Sequence, residues 1–115
     1  MSFSFRKILI GTALVLLLGG CSNDKAAPPV DEHTVAAGLE RGVTREQLES
    51  GRDLFLNACT RCHRPMTVAD YDAETWTDFL QDMTVRAQLD REQTEQVTAY
   101  VLTTRAVLDS MTTQR

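Results

Sequence analysis

Asn57-Ala58-Cys59-Thr60-Arg61-Cys62-His63-Arg64-Pro65-Met66 (NACTRCHRPM, residues 57–66) sets two thiols, an imidazole and a thioether within ten positions. These are soft metal-ligating groups. The whole chain of 115 residues has only three cysteines, two histidines and four methionines, and four of those nine fall in this one segment. What surrounds the segment decides what it holds and how the chain folds.

Working outward, the flanks carry helical periodicity and no alternating strand pattern, so the fold class expected is all-α. Upstream, Thr44-Arg45-Glu46-Gln47 fits a capping box, with a hydroxyl for one orphan N–H and Gln47 reaching back. Leu48, Gly51, Phe55 and Ala58 follow on one face, with Leu54 at its edge. Downstream, Asp72-Ala73-Glu74-Thr75 opens a second helix in which Trp76, Phe79, Leu80, Met83 and Ala87 recur at three- and four-residue steps. Asp90, with Gln93 three residues on, starts a third helix carrying Val97, Tyr100, Val101, Val107 and Leu108. Three helices within residues 44–115 make a small domain with a sparing supply of large apolar side chains. Domains of this size commonly need a disulfide, a metal or another staple.

The N-terminus sets the compartment. Arg6 and Lys7 precede an apolar run from Ile8 to Leu18, then Gly19, Gly20 and Cys21. This is the layout of a secretory signal over residues 1–20. The run is too short for a membrane span, which needs about 20 apolar residues. Leu18-Gly19-Gly20-Cys21 resembles the bacterial lipobox, which implies acyl chains on Cys21 as the first mature residue, and several chains together anchor a protein stably. By the same resemblance Ser22, standing where an aspartate would retain a lipoprotein, points to the outer membrane. Residues 21–43, rich in Ala, Gly and Pro with scattered charge, are expected to form a flexible lipidated tether to the domain at 44–115. His33, within that tether, is expected to be solvated.

Without residues 1–20 the chain has 10 Lys+Arg against 16 Asp+Glu, a net charge of −6. That balance gives no electrostatic case for nucleic acid, which requires a basic patch. It suits docking on a basic protein surface.

Three chemistries compete for Cys59-Thr60-Arg61-Cys62-His63. A thioredoxin-like redox pair uses Cys-x-x-Cys, but expects it at a helix start within a strand–helix–strand unit, and no strand pattern exists. Zinc normally takes four ligands, and no second Cys or His pair follows. Covalent haem remains: Cys-x-x-Cys-His is its attachment motif. Two thiols three residues apart on a tight turn can reach two vinyl groups on one side of a porphyrin, and the next residue brings its imidazole toward iron. The segment from 44 to 115 thus resembles the small monohaem c-type cytochrome family, in a compact, class I-like form. The resemblance implies a three-helix domain wrapped around one covalent haem c, bound through Cys59 and Cys62 with His63 on the iron. It also implies that the first and last helices cross closely. Gly51, followed four residues later by Phe55, matches the family's first helix, and Tyr100 is the aromatic expected over the glycine.

The second axial ligand decides between electron transfer and ligand binding at iron. Methionine is common in electron carriers and raises the potential. Met66 is three residues past His63, a stretch of about 10 Å at most, too little to round a porphyrin edge. Met111 is four residues from the C-terminal residue. Met83 closes a stripe at i, i+3, i+4 and i+7 with Trp76, Phe79 and Leu80, which are expected to pack on the haem. The competing reading makes that stripe ordinary core with Met83 as filler. Arg61, Arg64 and Arg86 are candidates to pair with haem propionates.

The function expected is electron transfer by a membrane-tethered His/Met cytochrome in the bacterial cell envelope, facing the periplasm, between redox-protein donors and acceptors. It is not expected to be an enzyme. Two alternatives are a cytochrome subunit of a periplasmic dehydrogenase and a haem enzyme or gas sensor with an open sixth position.

Overall fold

A computed structural model of the chain describes residues 23–115; the signal sequence and the lipidation expected at Cys21 lie outside the described residues. Five α-helices run α1 Asn23–Ala26, α2 Glu32–Leu39, α3 Arg45–Asn57, α4 Ala73–Arg86 and α5 Arg91–Thr113. Short 3₁₀ turns occupy Cys59–Arg61 and Val68–Asp70. No strand occurs among the described residues, and the fold is all-α. No helix among them is long and apolar enough to cross a membrane.

Local chemistry fixes the helix starts. Thr44 Oγ1 accepts from the Gln47 N–H, while Gln47 Oε1 accepts from the Thr44 N–H at 2.9 Å. Asp90 and Gln93 form the same reciprocal box on α5, and Asp72 caps α4 through the Thr75 N–H at 2.8 Å. Each cap satisfies an N–H that the first helical turn leaves without a partner. At the far end of α4, Gln88 takes φ 56° and the Leu89 N–H bonds back to the Thr84 carbonyl at 3.0 Å. This left-handed exit turns the chain directly into α5.

The centre of the domain is the crossing of α3 and α5. A Cβ built on Gly51 would lie 2.1 Å from the Gln96 carbonyl oxygen and 2.7 Å from the Tyr100 Cβ, so only glycine admits this approach. Leu48, Phe55, Val97, Tyr100 and Val101 are buried around it. From α4, Trp76 is fully buried and its indole N–H donates to the Val68 carbonyl at 2.9 Å. Its ring meets Phe55 edge-on at 5.7 Å and Phe79 at 6.0 Å, the offset geometry that aromatic quadrupoles favour.

The tether expected over 21–43 is corrected from Asn23 onward. Asp31 caps α2, accepting from the Thr34 N–H at 2.9 Å, and α2 packs on α3 and α5. Ala27 and Thr34 are buried. Arg52 Nε donates to the carbonyls of Ala27 and Pro28 at 3.0 and 3.2 Å, and the Tyr100 hydroxyl donates to the Pro28 carbonyl at 2.7 Å. Composition misled because few large apolar residues are needed where distant side chains satisfy the backbone and alanine fits a narrow groove. The folded unit therefore includes residues from Asn23 onward, about 20 residues earlier than the expected boundary at 44.

Candidate functional site

α3 ends at Asn57, where the Ala58 N–H still bonds the Leu54 carbonyl at 2.8 Å, and the chain tightens into the 3₁₀ turn Cys59–Arg61. Thr60 Oγ1 donates to the Leu56 carbonyl at 2.6 Å and fixes the turn to the helix above it. The turn sends its two thiols to different environments. Cys59 is buried, and desolvation pushes its thiol pKa above the ordinary value. Cys62 is exposed, and the two are free thiols rather than a disulfide.

His63 is exposed, with Nδ1 2.7 Å from the carbonyl oxygen of Arg64. A carbonyl only accepts, so this contact is a hydrogen bond when Nδ1 carries the proton. The Nε2 lone pair is then free. A metal-ligating histidine commonly has this arrangement, with the second nitrogen oriented by a backbone carbonyl.

Facing this turn is the last part of α4. Ala58, Cys59, Cys62 and His63 form one side of a cavity of about 340 Å³, and Asp82, Met83, Arg86 and Ala87 form the other. The volume falls within the range of small-molecule and cofactor sites, about 300–1,000 Å³. Arg86 Nε donates to Asp82 at 2.7 Å, an exposed i,i+4 pair at the rim. One cavity thus gathers Cys59, Cys62 and His63 of the 59–63 motif with Met83, from segments 20 to 24 positions apart in sequence.

The stripe Trp76-Phe79-Leu80-Met83 divides. Only Met83 lines the cavity. Trp76 and Leu80 are buried in the core, and the one polar atom of Trp76 is already bonded to Val68. Phe79 is half-buried, edge-on to Tyr71 at 5.1 Å as well as to Trp76. Trp76, Phe79 and Leu80, expected from the sequence to pack on a haem, are not among the residues that line this cavity: a stripe a hundred degrees wide has a core side and a rim side, and spacing alone does not say which residues take which. Asp82 lines the cavity with no sequence signal to mark it, since an acidic residue on an exposed helix face looks like any other. Arg86, picked out for charge pairing, is at the wall; Arg61 and Arg64 are exposed and do not line it. Met66 is partly buried against the core, and Met111 is exposed and lies away from the cavity.

Among the described residues no three His, Cys, Asp or Glu side chains converge to hold a metal ion. The donors are instead spread around one cavity. No protein-family model, no curated protein and no solved structure matches the chain.

Proposed function

We propose that this chain is a membrane-tethered monohaem cytochrome that transfers electrons in the bacterial cell envelope. The observation that carries the reading is the meeting of Cys59, Cys62, His63 and Met83 at one cavity. The donor set fits a covalently held iron porphyrin: the thiols of Cys59 and Cys62 would add across two vinyl groups, each S–H forming one S–C bond and delivering its hydrogen to the neighbouring carbon. His63, with its ring held by the Arg64 carbonyl, would hold the iron through Nε2, and Met83 would hold it through its thioether. When bound, the haem supplies a one-electron couple between ferrous and ferric iron, and a methionine ligand raises its potential.

The remaining residues serve that task without chemistry of their own. Ala58 and Ala87 give the wall an apolar surface that excludes water from the ring. Arg86, which lines the cavity and pairs with Asp82 at the rim, would be the cation to meet a propionate carboxylate. Acyl chains on Cys21 would hold the chain to the membrane.

Expression of the full chain in a host that makes thioether-linked haem tests the proposal. The purified protein is expected to be red and to retain its colour through acid–acetone extraction. The Cys59→Ser/Cys62→Ser variant is expected to lose it. Met83→Leu, close in volume, is expected to keep the haem and lose the sulfur-to-iron charge-transfer band of the ferric state. Colourless, folded parent protein would end the reading, and an unchanged Met83→Leu spectrum would remove Met83 as the second ligand.

A further inference from the structure

The segment between the anchor cysteine and α3 is fastened to the domain at three successive places. Asp24 pairs with Arg52 at 2.6 Å, and the same guanidinium with the Tyr100 hydroxyl fixes the carbonyls of Ala27 and Pro28. Arg45 next donates to the Val30 carbonyl at 3.2 Å and pairs with Glu32 at 2.5 Å. Finally the turn after α2 closes on Leu48: the Val43 N–H bonds the Gly38 carbonyl at 2.9 Å, and a Cβ on Gly38 would come within 2.8 Å of Leu48 Cδ1. Ala27, fully buried, seals the first of these places.

The consequence is one of reach. Asp24, the first fastened residue among those described, is three positions from Cys21, so the chain between them covers at most about 10 Å. A free coil of roughly 20 residues would instead hold the domain at a mean distance of about 25 Å. The strap carries four acidic side chains (Asp24, Asp31, Glu32, Glu40) against two basic ones (Lys25, Arg41). It therefore has no electrostatic attraction to an anionic lipid surface. Length of free chain, not adsorption, sets the height of the domain. Cys59, in the turn that follows α3, comes seven residues after Arg52, about 10 Å at a helical rise, so the cavity lies close to the fastened end.

We propose that residues 23–43 act as a strap that takes up the membrane tether and seats the domain directly on the bilayer, so that its electron-transfer partner is a protein embedded in the same membrane. The seating of the domain rests on the reading of Cys21 as a lipid anchor and is independent of the haem, whereas the electron-transfer character of the partner rests on the proposed function.

The test uses the full lipidated chain on a supported bilayer of phosphatidylcholine and phosphatidylglycerol, with neutron reflectometry to give the height of the protein layer. The parent is expected to begin at the headgroups with no intervening water layer. A Gly/Ser insertion of about 20 residues between Ser22 and Asn23, which leaves every strap contact intact, is expected to open a hydrated gap of about 25 Å. A gap beneath the parent, or the same layer profile for both proteins, overturns the strap. Mass spectrometry showing no acyl chains on Cys21 overturns the anchor reading, and the strap inference with it, by a different readout.

Discussion

The α3–α5 crossing and the cavity at the end of α3 stand less than three helical turns apart, yet they are built on opposite terms. At the crossing the protein is complete in itself: Gly51 brings two backbones into contact, Tyr100 is buried with its hydroxyl bonded to Pro28, and aromatic rings close the space between α3 and α4. At the cavity two cysteines stay unpaired, a histidine stands exposed and a methionine is half-buried. Neighbouring polar and apolar groups satisfy the first region; the second keeps its reactive groups uncommitted. The packing lies in the first, the proposed function puts chemistry in the second, and substitutions should separate them.

The largest effect is expected from Gly51→Val. Its Cβ alone would overlap the Gln96 carbonyl, and helices cannot shift apart without opening the core. Loss of the cooperative unfolding transition in circular dichroism is the expected result. Trp76→Ala removes the largest fully buried side chain and leaves the Val68 carbonyl without its donor; a loss of about 3–5 kcal/mol is expected from urea unfolding.

Tyr100→Phe is expected to cost about 1 kcal/mol, the net worth of one hydrogen bond. It has a pH signature as well. Burial raises the Tyr100 pKa from 10.0 to about 12. A raised folded pKa means that the folded state keeps a proton the unfolded state releases, so this contribution is intact below pH 10 and lost as pH rises toward 12. Thermal unfolding followed across that window should show an alkaline decline that Tyr100→Phe reduces.

Gln88→Gly relieves the left-handed φ of 56° at the end of α4 and should stabilise by roughly 0.5–1 kcal/mol, read as a higher urea midpoint. The smallest change in stability is expected from Met83→Leu, below about 1 kcal/mol, because volume is kept at a half-buried position. A large loss of stability there would mean that Met83 belongs to the scaffold, and would erase the contrast between the two regions.

Much of the scaffold was legible because its determinants are local. The boxes Thr44/Gln47 and Asp90/Gln93 depend on residues three positions apart, and both formed as the sequence indicated. Gly51 stood out because a glycine inside an apolar helical face costs about 1 kcal/mol unless a close approach needs it, and the approach of Tyr100 supplies the reason. The strap was illegible for the converse reason. Its partners Arg52 and Tyr100 lie 24 and 72 positions beyond Pro28, and bonds from side chain to distant carbonyl leave no periodic trace. The cavity lay between these cases. The 59–63 motif marks one wall by its own spacing, whereas the opposite wall is chosen by how α4 rotates on the core. Helical period placed Trp76 and Met83 on one stripe and could not reveal that one would turn inward and the other to the rim.

Trp76 is the only indole in the chain, and its single donor is committed to Val68 inside a ring of aromatic neighbours. The molecule thereby contains its own optical probe, free of interference from any second tryptophan. Its emission maximum reports whether the interior is dry. Its intensity should fall when a strongly absorbing pigment occupies the adjoining cavity, since such a pigment drains excitation through space. Wavelength and brightness would then give separate readings, one of folding and one of loading, from the same unlabelled sample.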